Sequence, residues 1–395
     1  MNILVWTAHF LPHVGGVENF SARLWPLIAA KAHCVHLFTC NTERVDPEEI
    51  YNGVHVHRLR CAPLLSGRFP IPLGPSYTSI LSDIDFHVAV TNTRFFPTSL
   101  LGALEAKKRR RPYLHIEYGS GSYVVPNPIV NTVVKLWDLS LGRYILRNAA
   151  AVAAVSTSAA EYCSRLGASG VHIVPNAIDT SRFDGADPIV RRELGLAPDV
   201  CVILFAGRLI REKGIELFIR LARDLSCFKT FFVVAGDGPC EPIVRRAASA
   251  SKNLAYLGKV NMAQMPQIFA SADIVCHPSW YLEGLPTVLL EGGAAGCALV
   301  AARTTGVDDI IPSSDYGLVV KPQDYESLKG AVGSLILDVE KRKRLGQAIR
   351  QRVREEFDIQ TVASRIESLL NAIVTNSQAS TELAAICKPN RACGK

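Results

Sequence analysis

The chain has 395 residues, of which 48% are hydrophobic and 20% are charged. This is the composition of a soluble globular protein long enough for two domains. The net charge of +7 is modest, and the basic runs at 107–111 and 341–344 lack the interleaved aromatic side chains of a nucleic-acid groove. No apolar run reaches the ~18 residues of a membrane helix, and the first residues lack a signal-peptide layout. We therefore expect a cytoplasmic protein that does not bind nucleic acid.

Eleven cysteines are present, an odd number. Cys201, Cys276 and Cys297 lie in apolar runs typical of buried strands, which predicts reduced core thiols rather than a disulfide framework. No pair of cysteines has the spacing of a zinc site, so the sequence assigns no metal ligands.

The first half of the chain alternates between strand and helix patterns. An apolar run at 2–6 predicts a strand, Gly15 and Gly16 predict a loop that lets a ligand approach the backbone or simply turns tightly, and a helix is expected over 17–31. The proline-rich stretch 66–76 predicts a loop without regular structure. Such alternation is typical of a doubly wound α/β domain, and its further strands are predicted at 34–38, 54–58, 86–90, 113–117, 152–155 and 171–174.

His115 lies in the predicted strand 113–117, on the same face as Tyr113 and Glu117. Functional groups in such sheets gather at the carboxyl ends of the strands, so His115 is a candidate catalytic or hydroxyl-binding residue. A hydrogen-bonded core histidine is the alternative.

A turn-rich segment, 175–188, interrupts the pattern and predicts an inter-domain linker. A second alternation begins at Cys201, with strands predicted at 201–206, 230–235, 255–257, 273–277, 298–301 and 317–320. These patterns predict an N-terminal domain over 1–178, a C-terminal domain over 179–358, a helix over 359–374 able to cross back to the first domain, and a flexible tail over 375–395.

Two stretches of the second half carry the candidate site. Arg208 and Lys213 precede a predicted helix, where they can neutralise a diphosphate or serve as ordinary surface cations. Glu283 and Glu291 lie on either side of a loop-to-helix junction, with Pro286 expected at the first helical position. Free backbone amides at a helix start bind anions, and carboxylates accept hydrogen bonds from sugar hydroxyls. The alternative is a loop acid and a routine acidic residue in an early helical turn.

Four motifs in the chain match those of a known family: GGVE at 15–18, GRLIREKG at 207–214, AGDGP at 235–239 and EGLPTVLLE at 283–291. They resemble the retaining nucleotide-sugar glycosyltransferases of family 4, and the resemblance covers roughly residues 1 to 373. It implies an α/β protein of GT-B architecture, in which two Rossmann-like doubly wound parallel-sheet domains face a central cleft. It also implies that the C-terminal domain holds the donor, and that no cofactor or essential metal is required.

The resemblance further implies a role for each matching residue. Glu291 would hold the ribose, Arg208 and Lys213 would hold the diphosphate, and Gly16 would approach the donor. One departure concerns the chemistry, because the family often has His-Gly where this chain has Tyr118 and Gly119, so that either Tyr118 or His115 takes that place. The transferred sugar would contact Glu283 and the backbone of Gly284, Leu285, Pro286 and Thr287. Apart from the resemblance, we expect the base near Gly258 to Val260, after the third strand of the C-terminal domain.

The expected function is retaining transfer of a sugar from a UDP- or GDP-sugar to a saccharide, lipid-linked or other glycoconjugate acceptor. An isomerase of the nucleotide-sugar 2-epimerase type on the same fold is the alternative, and a non-catalytic nucleotide-sugar sensor is a third possibility. The basic run 107–111 and the apolar residues 69–73 also predict peripheral contact with an anionic membrane, at its inner face.

Overall fold

The computed structural model describes residues 1–13, 15–64, 69–74, 76–121, 128–281 and 284–386. The chain divides into two compact units. The first comprises Met1–Val174 together with the residues from Ala363 onward, and the second comprises Pro175–Val362.

The first unit is built on an eight-stranded sheet of order β10-β9-β8-β7-β1-β2-β4-β3, in which β3 alone is antiparallel to its neighbour. In its core the rings of Trp6 and Phe38 stack with their centroids 4.9 Å apart. The strands of this unit are β1 Asn2–Trp6, β2 Cys34–Cys40, β3 Glu48–Tyr51, β4 Val54–Leu59, β5 Cys61–Leu64, β6 Phe69–Pro72, β7 Val88–Asn92, β8 Tyr113–Glu117, β9 Ala151–Ala154 and β10 Val171–Ile173.

Helices separate most of these strands, as the alternation predicted. A π-helical segment, Asp138–Gly142, joins two of the helices. The helices are α1 Gly16–Ala29, α2 Ser76–Ser82, α3 Pro97–Lys108, α4 Pro128–Trp137, α5 Arg143–Asn148 and α6 Thr157–Arg165.

The prediction of an irregular loop over 66–76 is wrong in part. Strand β6 pairs with β5 as an antiparallel two-stranded ribbon, and α2 begins at Ser76. Proline is compatible with such a ribbon, because an unpaired edge needs no backbone donor. Residues 65–68 and 75 lie outside the described residues.

The second unit contains a six-stranded parallel sheet of order β13-β12-β11-β14-β15-β16. Along β11, Val202 and Leu204 pack into the core on one face, and Ile203 and Phe205 pack into the core on the other. Both faces are buried, which explains the continuous apolar strands. The strands are β11 Cys201–Ala206, β12 Thr230–Ala235, β13 Leu254–Tyr256, β14 Ile274–His277, β15 Ala298–Ala302 and β16 Leu318–Val320.

Helices connect these strands and follow the last of them. Short 3₁₀ turns occur at Thr180–Phe183 and Arg211–Lys213. The helices are α7 Ile189–Glu193, α8 Ile215–Asp224, α9 Glu241–Ser249, α10 Met265–Ala270, α11 Thr287–Ala295, α12 Val307–Ile310, α13 Tyr325–Leu337, α14 Val339–Glu356 and α15 Ile359–Ile386.

The predicted tail from residue 375 begins inside α15, so that part of the prediction is wrong. The polar residues after Ile373 have only moderately lower helix propensity than alanine, and the first proline beyond that point is Pro389. A helix already formed therefore propagates through them. Residues 387–395 lie outside the described residues.

Among the described residues, no helix is long and apolar enough to cross a membrane. The described cysteines are free thiols. Cys201, Cys276 and Cys297 are buried, as the sequence predicted.

Candidate functional site

The strand order of the second unit creates a crevice at one place. Numbered within the unit, the order is 3-2-1-4-5-6, and the connections leave in opposite directions from the adjacent strands β11 and β14. In an open parallel sheet, ligands bind outside the carboxyl ends of the two strands at this switch point. The loop after β11 carries Arg208 and Lys213, and the loop after β14 leads to α11.

These two loops are joined through their backbones. The carbonyl oxygen of Glu212 accepts hydrogen bonds from the N–H groups of Trp280 at 2.8 Å and Tyr281 at 3.1 Å. The hydroxyl of Ser279 donates to the same oxygen at 3.3 Å. The geometry of each loop therefore depends on the other.

Glycines allow the close approach on which this contact depends. Gly214 has φ +78°, and a Cβ there would lie 2.3 Å from the carbonyl oxygen of Pro278. A Cβ on Gly236 would lie 1.9 Å from the carbonyl oxygen of Gly207, and one on Gly238 would lie 2.7 Å from that of Leu209. Gly214 of the GRLIREKG motif and both glycines of the AGDGP motif are thus explained by packing between neighbouring loops.

The two predicted cations both occur on the loop after β11. Arg208 is exposed and Lys213 is half-buried. The Lys213 ammonium lies 5.7 Å from the centroid of the Tyr281 ring, within cation–π range. The Lys213 side chain therefore lies beside the Tyr281 ring of the β14 loop, whereas the Arg208 side chain is exposed to solvent.

Helix α11 begins one residue later than predicted. Pro286 is the N-cap residue, with φ −74° and ψ 99°, and Thr287 is the first helical residue. Glu291 lies in the second turn and is half-buried. The amides of Thr287 and Val288 are among the first donors of the helix, which have no partner within it.

Two glycines bring α11 close to the sheet. A Cβ on Gly292 would lie 2.7 Å from a methyl carbon of Val275 on β14, and one on Gly293 would lie 2.8 Å from Val353 on α14. Each glycine costs about 1 kcal/mol of helix propensity. The close packing that they permit fixes the position of the helix start.

The segment before α11 is also held. Gly306, with φ +78°, packs so closely that a Cβ there would lie 2.5 Å from the carbonyl oxygen of Gly284 and 2.9 Å from the Cα of Leu285. The side chain of Leu285 is in the core. Glu283 lies outside the described residues, and its role stays a prediction.

Val260, predicted to lie near the base, packs against the hydrophobic core of the second unit. It lies in the loop after β13. In the same loop, the carbonyl oxygen of Gly258 accepts a hydrogen bond from the N–H of Gly236 at 2.8 Å. The loops after β11, β12 and β13 are thus connected in series.

In the first unit, Gly15 and Gly16 differ in their surroundings. A Cβ on Gly15 would lie 2.2 Å from a carboxylate oxygen of Glu18, whereas a Cβ on Gly16 would meet nothing within 4 Å. Burial raises the pKa of Glu18, although a backbone hydrogen bond and His13 oppose that shift. The room at Gly15 is therefore taken by Glu18, and Gly16, at the first position of α1, is the exposed glycine.

His115 is fully buried. Its Nδ1 lies 2.8 Å from the Thr91 hydroxyl, and its Nε2 lies 3.2 Å from the carboxylate of Glu117. These contacts match the hydrogen-bonded core histidine that was the alternative interpretation, and no observation assigns His115 a catalytic part.

Glu117 connects His115 to a buried ionic network. Its carboxylate lies 2.9 Å from Arg94, and Arg94 lies 3.1 Å from Asp138. Burial raises the pKa of Glu117, but Arg94 and His115 more than reverse this and lower it to about 2. The Arg94 guanidinium also packs over the Tyr162 ring at 4.5 Å. Arg94 and Asp138 are distant in sequence and match no motif, so this network has no signature in the sequence.

Tyr118 points towards α1. Its ring packs edge-on against Phe20, with centroids 6.1 Å apart, and its hydroxyl lies 3.4 Å from Asn92. Burial, followed by the charge of Glu18, raises the pKa of the Tyr118 hydroxyl. Of the two candidates for the family's histidine position, Tyr118 is the one near the β1–α1 region.

Comparison with known proteins identifies the family. The model described as Glycosyltransferase Family 4 matches residues 14–182, and the model described as Glycosyl transferases group 1 matches residues 187–352. Together they cover most of the chain. The chain belongs to the family 4 glycosyltransferases.

Similar proteins agree with this assignment. An uncharacterized glycosyltransferase of Methanocaldococcus jannaschii is 24% identical over 393 residues, which is 95% of this chain and 99% of that protein. Sucrose-phosphate synthase from Thermosynechococcus elongatus has a TM-score of 0.77 and 20% identity, and covers 95% of this chain and 99% of that one. HepE of Anabaena in complex with UDP has a TM-score of 0.73 and 18% identity, and the match covers 94% of this chain and 99% of that one. These likenesses show the GT-B fold.

For this glycosyltransferase, sequence reasoning located the Arg208–Lys213 loop and the start of α11, and it missed the residues that join them. The carbonyl oxygen of Glu212 and the aromatic ring of Tyr281 are examples. A backbone acceptor has no sequence signature, but the aromatic pair Trp280 and Tyr281 just before EGLP was a visible signal.

Proposed function

We propose that the protein transfers a sugar, with retention of anomeric configuration, from a UDP- or GDP-sugar to a saccharide, lipid-linked or other glycoconjugate acceptor. The observation that carries the proposal is the backbone contact between the Arg208–Lys213 loop and the β14 loop at the switch point of the second unit. This contact holds the loop that carries Arg208 and Lys213 against the segment that leads to the amides of α11.

The chemistry follows from the charges. The bond between the anomeric carbon and the donor's β-phosphate oxygen breaks, and the nucleoside diphosphate leaves with its electron pair. Arg208 and Lys213 oppose the negative charge that develops on it, which is electrostatic stabilisation of the transition state. Glu291 accepts hydrogen bonds from the ribose, and Glu283 with the amides near Thr287 orients the sugar. The acceptor hydroxyl oxygen bonds to the anomeric carbon, and its proton passes to the departing diphosphate, which holds the electron pair of the broken bond.

We propose that the transferred sugar is a hexose, and both this proposal and the retention of configuration rest on the resemblance to family 4. HepE, a structural relative, is described in complex with UDP, and a relative in Corynebacterium glutamicum is described as GDP-mannose-dependent, so both donor classes are tested. The comparisons give glycosyltransferases, which does not favour the 2-epimerase alternative.

The test is a donor screen with the purified protein. Thermal unfolding is measured with UDP- and GDP-sugars, since a ligand at ~100 times its Kd adds ~2.7 kcal/mol of stability. Stabilising donors are then incubated with saccharide and lipid-linked acceptors, and the new linkage is assigned by NMR. A product with the donor's anomeric configuration supports the proposal. An inverted product contradicts retention, and exchange of a sugar proton with solvent without transfer favours the epimerase.

We also propose peripheral contact with an anionic membrane. Arg109 of the basic run is engaged within the fold, where it donates to Glu105 at 2.7 Å and to the carbonyl of Ile84 at 3.0 Å. Lys107, Lys108 and Arg110 are exposed. The ring of Phe69 packs against Phe96 and Trp137 instead of facing a membrane.

A further exposed surface supports membrane contact. Val133, Leu136 and Leu139 recur every third residue and are 60%, 62% and 51% exposed. Residues three apart lie on one side of a helix, and Lys135 lies among them. Apolar side chains beside lysines suit an anionic lipid surface.

A further inference from the structure

Two histidines and a glutamate meet at the switch point of the first unit, where β1 lies between β2 and β7. His9, His13 and Glu18 each offer one metal-binding atom, and these atoms all lie within 4.8 Å of one another. His9 and Glu18 are 6% and 8% exposed, and the His13 side chain is 34% exposed. Within the described residues, this is the one group of three such side chains with that spacing.

The separations suit a tetrahedral cation. Ligand atoms bound at ~2.0–2.2 Å in tetrahedral geometry are about 3.3–3.6 Å apart. His13 Nδ1 already lies 3.4 Å from Glu18 Oε1. The His9 and His13 rings stack with centroids 4.3 Å apart. The three donor atoms already lie within 4.8 Å of one another, and rotation of the more exposed His13 ring out of its stack with His9 lets both imidazoles face one ion at zinc-like bond lengths.

The surrounding chain holds the cluster in place. The His9 ring packs edge-on against Phe96, with centroids 5.9 Å apart, and the Thr7 hydroxyl donates to the backbone carbonyl of His9 at 3.2 Å. Gly15 leaves the room that the Glu18 carboxylate occupies, since a Cβ there would lie 2.2 Å from it. Two of the three groups are thus fixed by packing, and His13 gives access from solvent.

We propose that His9, His13 and Glu18 bind one divalent transition-metal ion of the Zn²⁺ type. Two imidazoles and a carboxylate are ligands for zinc and its neighbours, whereas Mg²⁺ and Ca²⁺ require mainly oxygen ligands. Three protein ligands leave a fourth position for water or another small ligand. The ion would tie the end of β1 to the first turn of α1, beside the exposed Gly16. The proposal is independent of the donor chemistry in the second unit.

The test is metal binding by the full chain after treatment with a chelator and gel filtration. Zn²⁺ is titrated calorimetrically, and Co²⁺ is followed by its visible absorption. We expect one high-affinity ion per chain, no sulfur-to-cobalt charge-transfer band, and at least a tenfold loss of affinity in His13→Gln and in Glu18→Gln. His13 is partly exposed, so His13→Gln preserves the fold even if Glu18→Gln does not.

Thiols are the competing ligands, and the chain offers a matched control. The Cys34 sulfur lies 3.4 Å from Nε2 of His36, and soft thiolate ligands also bind zinc and cobalt. Cys34→Ser is expected to leave the high-affinity site unchanged. The proposal is overturned if the wild type binds no ion, if Cys34→Ser abolishes binding, or if His13→Gln binds as tightly as the wild type.

Discussion

The carbonyl oxygen of Glu212 accepts a hydrogen bond from the backbone N–H of Trp280 across 2.8 Å. This bond joins the loop after β11 to the loop after β14. It forms because Gly214, which has no side chain, lets the two loops approach each other. The loop that carries Arg208 and Lys213 is thereby fixed relative to the segment that leads into α11.

Gly214→Ala is expected to reduce sugar transfer and stability together. The left-handed conformation at φ +78° costs alanine roughly 1–2 kcal/mol, and the contact with Pro278 adds an overpacking cost of about 1–3 kcal/mol. Thermal unfolding and transfer rates measure both effects. Gly195→Ala is the control, because Gly195 has φ +60° and a Cβ there would meet nothing within 4 Å. Equal losses of transfer in the two variants would contradict the role of the loop contact.

Glu291→Gln is expected to weaken donor binding. The substitution keeps the shape of the side chain and an acceptor oxygen, and it removes the charge that strengthens hydrogen bonds to ribose hydroxyls by about 1–1.5 kcal/mol. That corresponds to a rise of roughly five- to tenfold in the donor KM. Steady-state kinetics with varied donor give the value, and exposed Glu340→Gln is the control. An unchanged KM would remove Glu291 from the donor site.

The buried network around Glu117 predicts a pH dependence of stability. Its pKa is lowered from 4.5 to about 2 by Arg94 and His115, against the effect of burial. A carboxyl whose pKa is lower in the folded state contributes stability above pH 4.5, and this contribution is lost as the pH falls towards 2. Removing one partner of a buried ion pair costs about 3–5 kcal/mol.

Glu117→Gln is therefore expected to lower the unfolding temperature at neutral pH and to differ less from the wild type near pH 3. Thermal unfolding across pH 3–7 measures this. Exposed Asp85→Asn, which removes a surface pair with Arg111, should change little. A destabilisation of Glu117→Gln that is the same at every pH would contradict the account.

Membrane contact predicts that binding to anionic vesicles falls with salt and with charge reversal. Each basic residue near such a surface contributes about 1 kcal/mol, so Lys107→Glu with Arg110→Glu should weaken binding strongly. Leu136→Asp should weaken it at all salt concentrations. Co-sedimentation with phosphatidylserine vesicles tests this, with neutral vesicles as the control. If vesicle binding changes neither with salt concentration nor in these variants, the proposed membrane contact is wrong.

Much of the fold could be predicted, because the spacing of apolar residues and the local composition determine where most strands and helices form. Strands β11 and β12 begin and end at the predicted residues, since continuous apolar runs between turns leave few alternatives. The ribbon β5–β6 was missed because prolines in the sequence indicate a loop, and only a partner strand reveals the pairing. Helix α15 was predicted too short because polar residues within a helix resemble those of a tail.

Only the charged side chains of the candidate site could be predicted from the sequence. Arg208, Lys213 and Glu291 could be named from sequence, whereas the Glu212 carbonyl and the fit of Gly306 against Gly284 depend on tertiary packing. His115 had two interpretations from sequence, because its position at a strand end suggests function, and its contacts with Thr91 and Glu117 are those of the alternative, a core residue. The cluster of His9, His13 and Glu18 was missed because its spacing matches no metal motif.

The most direct test of the central claim is the affinity for nucleoside diphosphate. Isothermal titration with UDP and GDP compares the wild type, the double variant Arg208→Ala/Lys213→Ala, and Arg211→Ala, which changes an exposed arginine of the same loop paired with Glu216. The account predicts that the wild type and Arg211→Ala bind one of the two nucleotides with similar affinity, while the double variant loses at least a hundredfold. Equal binding by all three proteins would contradict it.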